Sequence, residues 1–141
     1  MEKTRVKVIG AGLAGCEAAL QLASQGFLVD LYEMRPKVNT PAHRGGNLAQ
    51  LVCSNSFKGI AKTTAHGLLK NELTLLGSFL IELAKEAQVP AGESLTVNRE
   101  IFSALVEKKI SECPAITLHR KEVTSLEDDL PTLVAAGPLA S

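Results

Sequence analysis

Net charge is the first thing this 141-residue sequence lacks: fifteen lysines and arginines stand against fifteen aspartates and glutamates. No global field therefore steers the chain toward nucleic acid or an anionic membrane. Cysteine is scarce. Cys16, Cys53 and Cys113 are odd in number, far apart and without a Cys-x-x-Cys pair, which argues against a disulfide framework or a zinc site and fits a reducing cytosol. Long apolar runs are missing too: nothing approaches the roughly 20 residues of a membrane span. The charged Glu2-Lys3-Thr4-Arg5 after Met1 does not read as a signal peptide. The expectation is a cytoplasmic protein with no metal and no membrane partner. Repeats and low-complexity segments are absent.

What is present is a composition of 45% hydrophobic and 21% charged residues, that of one modest globular domain with a core. The most informative stretch comes first. Val6-Lys7-Val8-Ile9-Gly10-Ala11-Gly12-Leu13-Ala14-Gly15 runs from an apolar strand (residues 5–9) through a glycine turn into a small-residue helix (about 12–25), with Ala14, Ala18 and Leu22 on its packed side and Gly26 at its end. Gly10 suits the tight turn, Gly12 lets backbone N–H groups approach a pyrophosphate, and Gly15 lets helix and strand pack closely. The positive end of the helix dipole points at the same anion. A second strand, Phe27 to Tyr32, ends at Glu33, 18 positions after Gly15, close to where dinucleotide folds place an acid on the adenosine ribose. A carboxylate there favours FAD or NAD over NADP. The fold class expected is α/β, a Rossmann-like domain with a mostly parallel central sheet.

Residues 34–66 read as a long irregular connection with one short apolar stretch at Leu48 to Val52, and such connections are often functional. Within it, Leu51-Val52-Cys53-Ser54-Asn55-Ser56 sets a thiol beside three hydrogen-bonding side chains. Taken alone, Cys53 fits a small buried apolar residue better than a nucleophile. His43 is a candidate acid or base, and Arg35, Lys37 and Arg44 are candidate phosphate ligands or simply solvated charges. From Gly67 to about Gln88, leucines 69, 73, 76, 80 and 83 with Ala87 predict one amphipathic helix, weakened at Gly77. Val89-Pro90-Ala91-Gly92 breaks it. A short strand at Leu95-Thr96-Val97 precedes a helix over 99–112 capped by Asn98, with Ile101, Phe102, Leu105, Val106 and Ile110 inward and Lys109 packing its stem. Strands at 115–119 and 122–126 follow, then a last buried strand at 132–136 before the Gly137-Pro138 turn.

Several of these motifs converge. Val8 to Ala19, Leu31-Tyr32-Glu33-Met34-Arg35-Pro36, Thr40-Pro41-Ala42-His43, the Cys53 block, Val89 to Gly92 and Ala136 to Leu139 together resemble the bacterial folate- and FAD-dependent tRNA (uracil-5-)-methyltransferases over nearly the whole chain. The resemblance implies a flavoenzyme that moves a one-carbon unit from methylenetetrahydrofolate to C5 of the T-loop uridine in tRNA, with NAD(P)H reducing the FAD. It implies that Gly10, Ala11, Gly12, Leu13, Ala14, Gly15 and Glu33 hold the ADP half of FAD, that Arg35 lies beside the adenosine, and that Cys53 is a functional cysteine, as nucleophile or as acid/base. Members of the family are about three times longer, by the arithmetic of a cofactor domain plus a substrate domain. The expectation is therefore the N-terminal, FAD-binding portion, inactive alone, with a second functional cysteine and most of the tRNA surface elsewhere. Arg44-Gly45-Gly46 departs from the family pattern. Other readings are a non-catalytic nucleotide- or partner-binding module, a relative acting on the tRNA wobble uridine, which Tyr32 to Pro36 and the Cys53 block disfavour, and an rRNA uridine substrate.

Overall fold

The computed structural model describes residues 4–127 and 129–140. The apolar strand β1 (Arg5–Ile9) leads through the glycine turn into α1 (Leu13–Ser24) and back into β2 (Leu28–Tyr32). This is the strand-helix-strand unit expected. β2 lies parallel to β1 in register, Val8 opposite Leu31 and Ile9 opposite Tyr32. A parallel pair needs its connection to cross one face of the sheet. α1 makes that crossing, burying Gly15, Cys16, Ala19 and Leu20.

The connection after β2 is irregular, as expected, except that it contains a strand, β3 (Ser56–Gly59). Next come two helices where the leucine spacing predicts one: α2 (Ala65–Leu75) and α3 (Phe79–Glu86). The break is local and chemical. Gly77 adopts φ of 75°, and the N–H groups of Gly77 and Ser78 turn back to the carbonyls of Thr74 and Leu73 at 3.1 and 2.9 Å. That is a left-handed glycine stop with both carbonyls satisfied. Ser78 then caps the next helix, its hydroxyl accepting from the Ile81 N–H at 3.3 Å. The stripe is divided with it: Leu80, Ile81 and Ala84 of α3 are buried, whereas Leu69, Leu75 and Leu76 are exposed.

Beyond α3, β4 (Gln88–Val89) and β5 (Ser94–Val97) form with β3 a small antiparallel sheet, order β3-β5-β4. Asn98 caps α4 (Arg99–Ser111), accepting from the N–H groups of Glu100 and Ile101 at 3.1 Å each. α4 buries Phe102, Ser103, Val106 and Ile110. Ile101 lies outside that set and is exposed, contrary to expectation. The edge of Phe57 against Phe102, centroids 5.4 Å apart, joins the small sheet to α4.

β6 (Ile116–His119) and β7 (Thr132–Val134) complete the main sheet in the order β6-β2-β1-β7, parallel throughout. This arrangement is the Rossmann-like half expected. Two expectations fail here. Residues 122–126 form no strand and run as irregular chain. β7 is exposed along its length, because among the described residues only β1 pairs with it. No helix among the described residues is long and apolar enough to cross a membrane.

Candidate functional site

In a parallel sheet with helices on its faces, ligands bind outside the C-terminal ends of the strands. β1, β2 and β7 all point those ends at one cleft of about 500 Å³. Its floor is the glycine turn, Gly10 to Ala14. One wall carries Glu33, Arg35 and His43, and the other comes from residues 121–126 and 134–140.

The turn is held from several sides. The Gly10 N–H donates to the Tyr32 carbonyl at 2.8 Å, and the Ala11 carbonyl accepts from the Ala49 N–H at 2.9 Å. The Cys16 thiol donates to the same Ala11 carbonyl at 3.3 Å. Burial pushes that thiol up to about 12, so Cys16 is a packing and hydrogen-bonding group with no thiolate at neutral pH. Gly10 has φ of 101°, and a Cβ there would stand 2.5 Å from the Ala135 carbonyl oxygen. Gly15 faces into the fold, where a Cβ would lie 1.7 Å from the Gly10 carbonyl oxygen. At Gly12 a Cβ would meet no atom within 4 Å. Its missing side chain leaves open space above the first turn of α1, which carries no acidic residue. Unsatisfied N–H groups at a helix start, with no carboxylate to compete, form an anion site.

Glu33 and Arg35 are both buried, at 5% and 3% exposure. Glu33 Oε1 accepts from the Arg35 backbone N–H and from Arg35 Nε, each at 2.9 Å. Its Oε2 accepts from Arg35 Nη2 at 3.1 Å and from the Ala11 N–H at 3.3 Å. Burial alone pushes this carboxyl's pKa up, but the hydrogen bonds and charge of Arg35 outweigh it and hold the group below its ordinary range. Each carboxylate oxygen thus already accepts two hydrogen bonds, about its full capacity. A ribose hydroxyl reaching Glu33 would exchange with one of them. Arg35 Nη1 extends the network to Gln50 Oε1 at 3.0 Å.

Residues 34–46, which carry Arg35, are pinned from behind by Arg120. Its Nη1 donates to the carbonyls of Arg35, at 3.0 Å, and of Gly46, and its Nη2 to Glu107 Oε1 at 2.8 Å. His43 is tied at Nδ1 to Thr40 Oγ1, 2.5 Å away. Burial, then the Arg35 charge, lowers its pKa, which keeps the ring neutral near pH 7.

The structure brings Gly10, Ala11, Gly12, Leu13, Ala14, Glu33 and Arg35 onto one cleft, with Gly15 behind them. Cys53 stands apart: it is exposed, not the small buried residue that its Leu-Val flank suggests, and its neighbour Val52 is the one on the cleft wall. Sequence reasoning missed Gln50 and Arg120. The ring of bonds from Gln50 to Arg35 and to the backbone of Arg44 depends on how an irregular loop folds back, and Arg120 reaches a loop 74 or more positions away; no local pattern encodes either.

Comparison with known proteins gives consistent results. The family model described as glucose inhibited division protein A matches residues 5–136. A protein of Aquifex aeolicus (strain VF5), named methylenetetrahydrofolate–tRNA-(uracil-5-)-methyltransferase TrmFO, is 55% identical over 139 residues, covering 99% of this chain and 31% of that protein. Proteins of the same name from Acholeplasma laidlawii (strain PG-8A) and Lactococcus lactis subsp. lactis (strain IL1403) are 54% and 50% identical, covering 96% and 100% of this chain and 32% of each relative. The chain spans about a third of the length of these relatives.

Proposed function

The chain belongs to the glucose inhibited division protein A family, and from that premise we propose that it is the FAD-binding portion of an enzyme that methylates C5 of a uridine in tRNA. The observation that carries the reading is the cleft at the ends of β1, β2 and β7, where the open face of Gly12, the start of α1 and the Glu33–Arg35 pair meet. The relatives' printed name supplies the reaction: methylenetetrahydrofolate as carbon donor and tRNA uridine as acceptor. NAD(P)H is the reductant in this reading.

Gly12 to Ala14, where the helix begins, offer the pyrophosphate their N–H groups, the Gly10 and Ala11 N–H groups being held by Tyr32 and Glu33, while Gly15 keeps the helix close enough to aim them. Glu33 orders the turn through the Ala11 N–H and fixes Arg35 beside the adenosine, where a ribose hydroxyl exchanges with one of its present donors. Bound flavin supplies the capacity to accept and pass on a hydride. Cys53, exposed next to a residue of the cleft wall, acts on the uracil either by adding at C6 or by moving the C5 proton. Both roles need the thiol accessible.

The test is titration of the purified chain with FAD. The expected result is a change in flavin absorbance and quenched fluorescence, and an unchanged spectrum overturns cofactor binding. Supplying the chain to tRNA that lacks ribothymidine, and analysing the nucleosides of tRNA and rRNA after loss of the gene, tests the reaction and its substrate.

A further inference from the structure

The zero net charge of the chain conceals a segregation. Residues 34–71 contain six lysines and arginines and no aspartate or glutamate, while every acid of the protein lies outside them. Of these six, Arg35 is neutralised by Glu33. Lys37, Arg44, Lys58 and Lys62 are exposed, and none of them nor Lys70 takes part in an ion pair among the described residues. Elsewhere the cations Arg5, Lys7, Lys108 and Arg120 each face a carboxylate, and Lys85, Arg99, Lys109 and Lys121 take part in no ion pair among the described residues; what sets residues 34–71 apart is the lack of any acid among them. Exposed cations on a stretch without acids, with Glu93 the neighbour across from Ile60, suit a phosphate backbone.

The placement agrees. Arg44 donates its N–H to Gln50 Oε1 and accepts from Gln50 Nε2, so it is fixed against a side chain of the cleft wall. C-terminal to Cys53, Lys70 Nζ donates to the carbonyls of Phe57 and His66 at 2.7 and 2.8 Å, tying β3, which carries Lys58, to α2. Lys58 follows Cys53 by five positions, so chain reach alone keeps its Cα within roughly 18 Å of the thiol. Lys58 also sits at φ of 67°, a conformation that a non-glycine side chain rarely adopts and that concentrates at functional positions.

We infer that Lys37 and Arg44 on one side of Cys53, and Lys58 and Lys62 on the other, form a strip that grips the backbone phosphates of an RNA loop flanking the uridine presented to that cysteine. This rests on the proposed RNA-directed function. It also places on this chain a share of the RNA contact, most of which is expected elsewhere.

The experiment measures binding of a fluorescent RNA stem-loop with uridine in its loop to the full chain, by anisotropy across a salt series, with FAD binding read separately by flavin fluorescence. Each phosphate of a single strand that the protein neutralises, releasing its counterion, contributes about 0.7 to the magnitude of the slope of log affinity against log salt. The double variants Lys58→Gln/Lys62→Gln and Lys37→Gln/Arg44→Gln are each expected to flatten the slope by about 1.4 with unchanged FAD binding, while Lys108→Gln on α4 leaves it unaltered. An unchanged slope in both double variants overturns the strip. So does equal flattening by Lys108→Gln, or competition by polyglutamate matching that of RNA at equal charge. A wild-type chain that binds FAD but no RNA overturns the strip alone, whereas one that binds RNA with the expected slopes and no FAD supports the strip and counts against the flavin reading.

Discussion

The Arg35 guanidinium lies flat against the Glu33 carboxylate, Nε to Oε1 at 2.9 Å and Nη2 to Oε2 at 3.1 Å, and both side chains are buried. Two such parallel bonds give the strong, oriented form of an ion pair. Removing one partner leaves the other charge buried, so Glu33→Ala and Arg35→Ala are each expected to cost about 3–5 kcal/mol. Chemical denaturation measures this, and a loss under about 1 kcal/mol would mean that the pair opens to water.

The same pair sets an acid limit. The Glu33 carboxyl is held below its ordinary value of 4.5, so the folded state binds that proton less readily than the unfolded chain. Its contribution is full above the unfolded value and is lost as pH falls through the lower folded value. Asp30 adds in the same direction: burial opposes its ionisation, but hydrogen bonds from His119 and Arg5 win. Thermal melts from neutral pH downward are expected to show the midpoint falling below about pH 4.5, with a shallower fall in Glu33→Gln.

Gly12 and Gly15 separate ligand from packing. Gly15→Ala places a Cβ 1.7 Å from a carbonyl oxygen and forces helix from strand, with an expected loss above about 2 kcal/mol. Gly12→Ala meets nothing and is expected to alter stability by less than about 1 kcal/mol, yet to weaken FAD binding at least about tenfold because the new methyl stands where the pyrophosphate approaches. Equal effects of the two on stability would refute the division.

Glu17, on α1, is the hinge pin between α1 and α3. Its two oxygens accept from the Phe79 and Leu80 N–H groups at 3.1 and 2.9 Å and from the Ser78 hydroxyl at 2.9 Å, completing the cap of α3 from outside. Glu17→Ala is expected to cost about 1–2 kcal/mol, and hydrogen exchange should show the first amides of α3 losing protection ahead of the main sheet.

Thiol labelling of the native protein is expected to follow exposure: Cys53 fast, the half-buried Cys113 slower, and the buried Cys16 only on unfolding. Ellman's reagent read against time gives three phases or fewer, and early labelling of Cys16 would contradict its place beneath the turn.

The parts that local physics writes into the chain were legible. Strand, glycine turn, helix and acid fall within residues 5–33 because their contacts are between near neighbours or across one parallel pair. Asn98 announced α4 for the same reason. The split at Gly77 was half legible: the glycine was visible, but its carbonyl accepts from Gln21 and the cap that follows is completed by Glu17, both on the distant α1, which periodicity does not register. Residues 122–126 alternate like a strand yet run as irregular chain along the cleft wall, a placement that alternation alone does not register. Cys53 looked buried from its flank, whereas burial is decided by where the loop comes to rest.

The close approach of the Gly10 turn to Ala135 has a consequence in time. The floor of the cleft and part of one wall come from stretches far apart in the sequence, residues 9–14 and 134–140, and contacts of such separation are slow to form. During synthesis the phosphate-binding turn emerges early but waits, one-sided, until β7 arrives beside β1. A ligand bound to the floor and that wall would act as a staple between β1 and β7, and its concentration would become part of what keeps the two strands together.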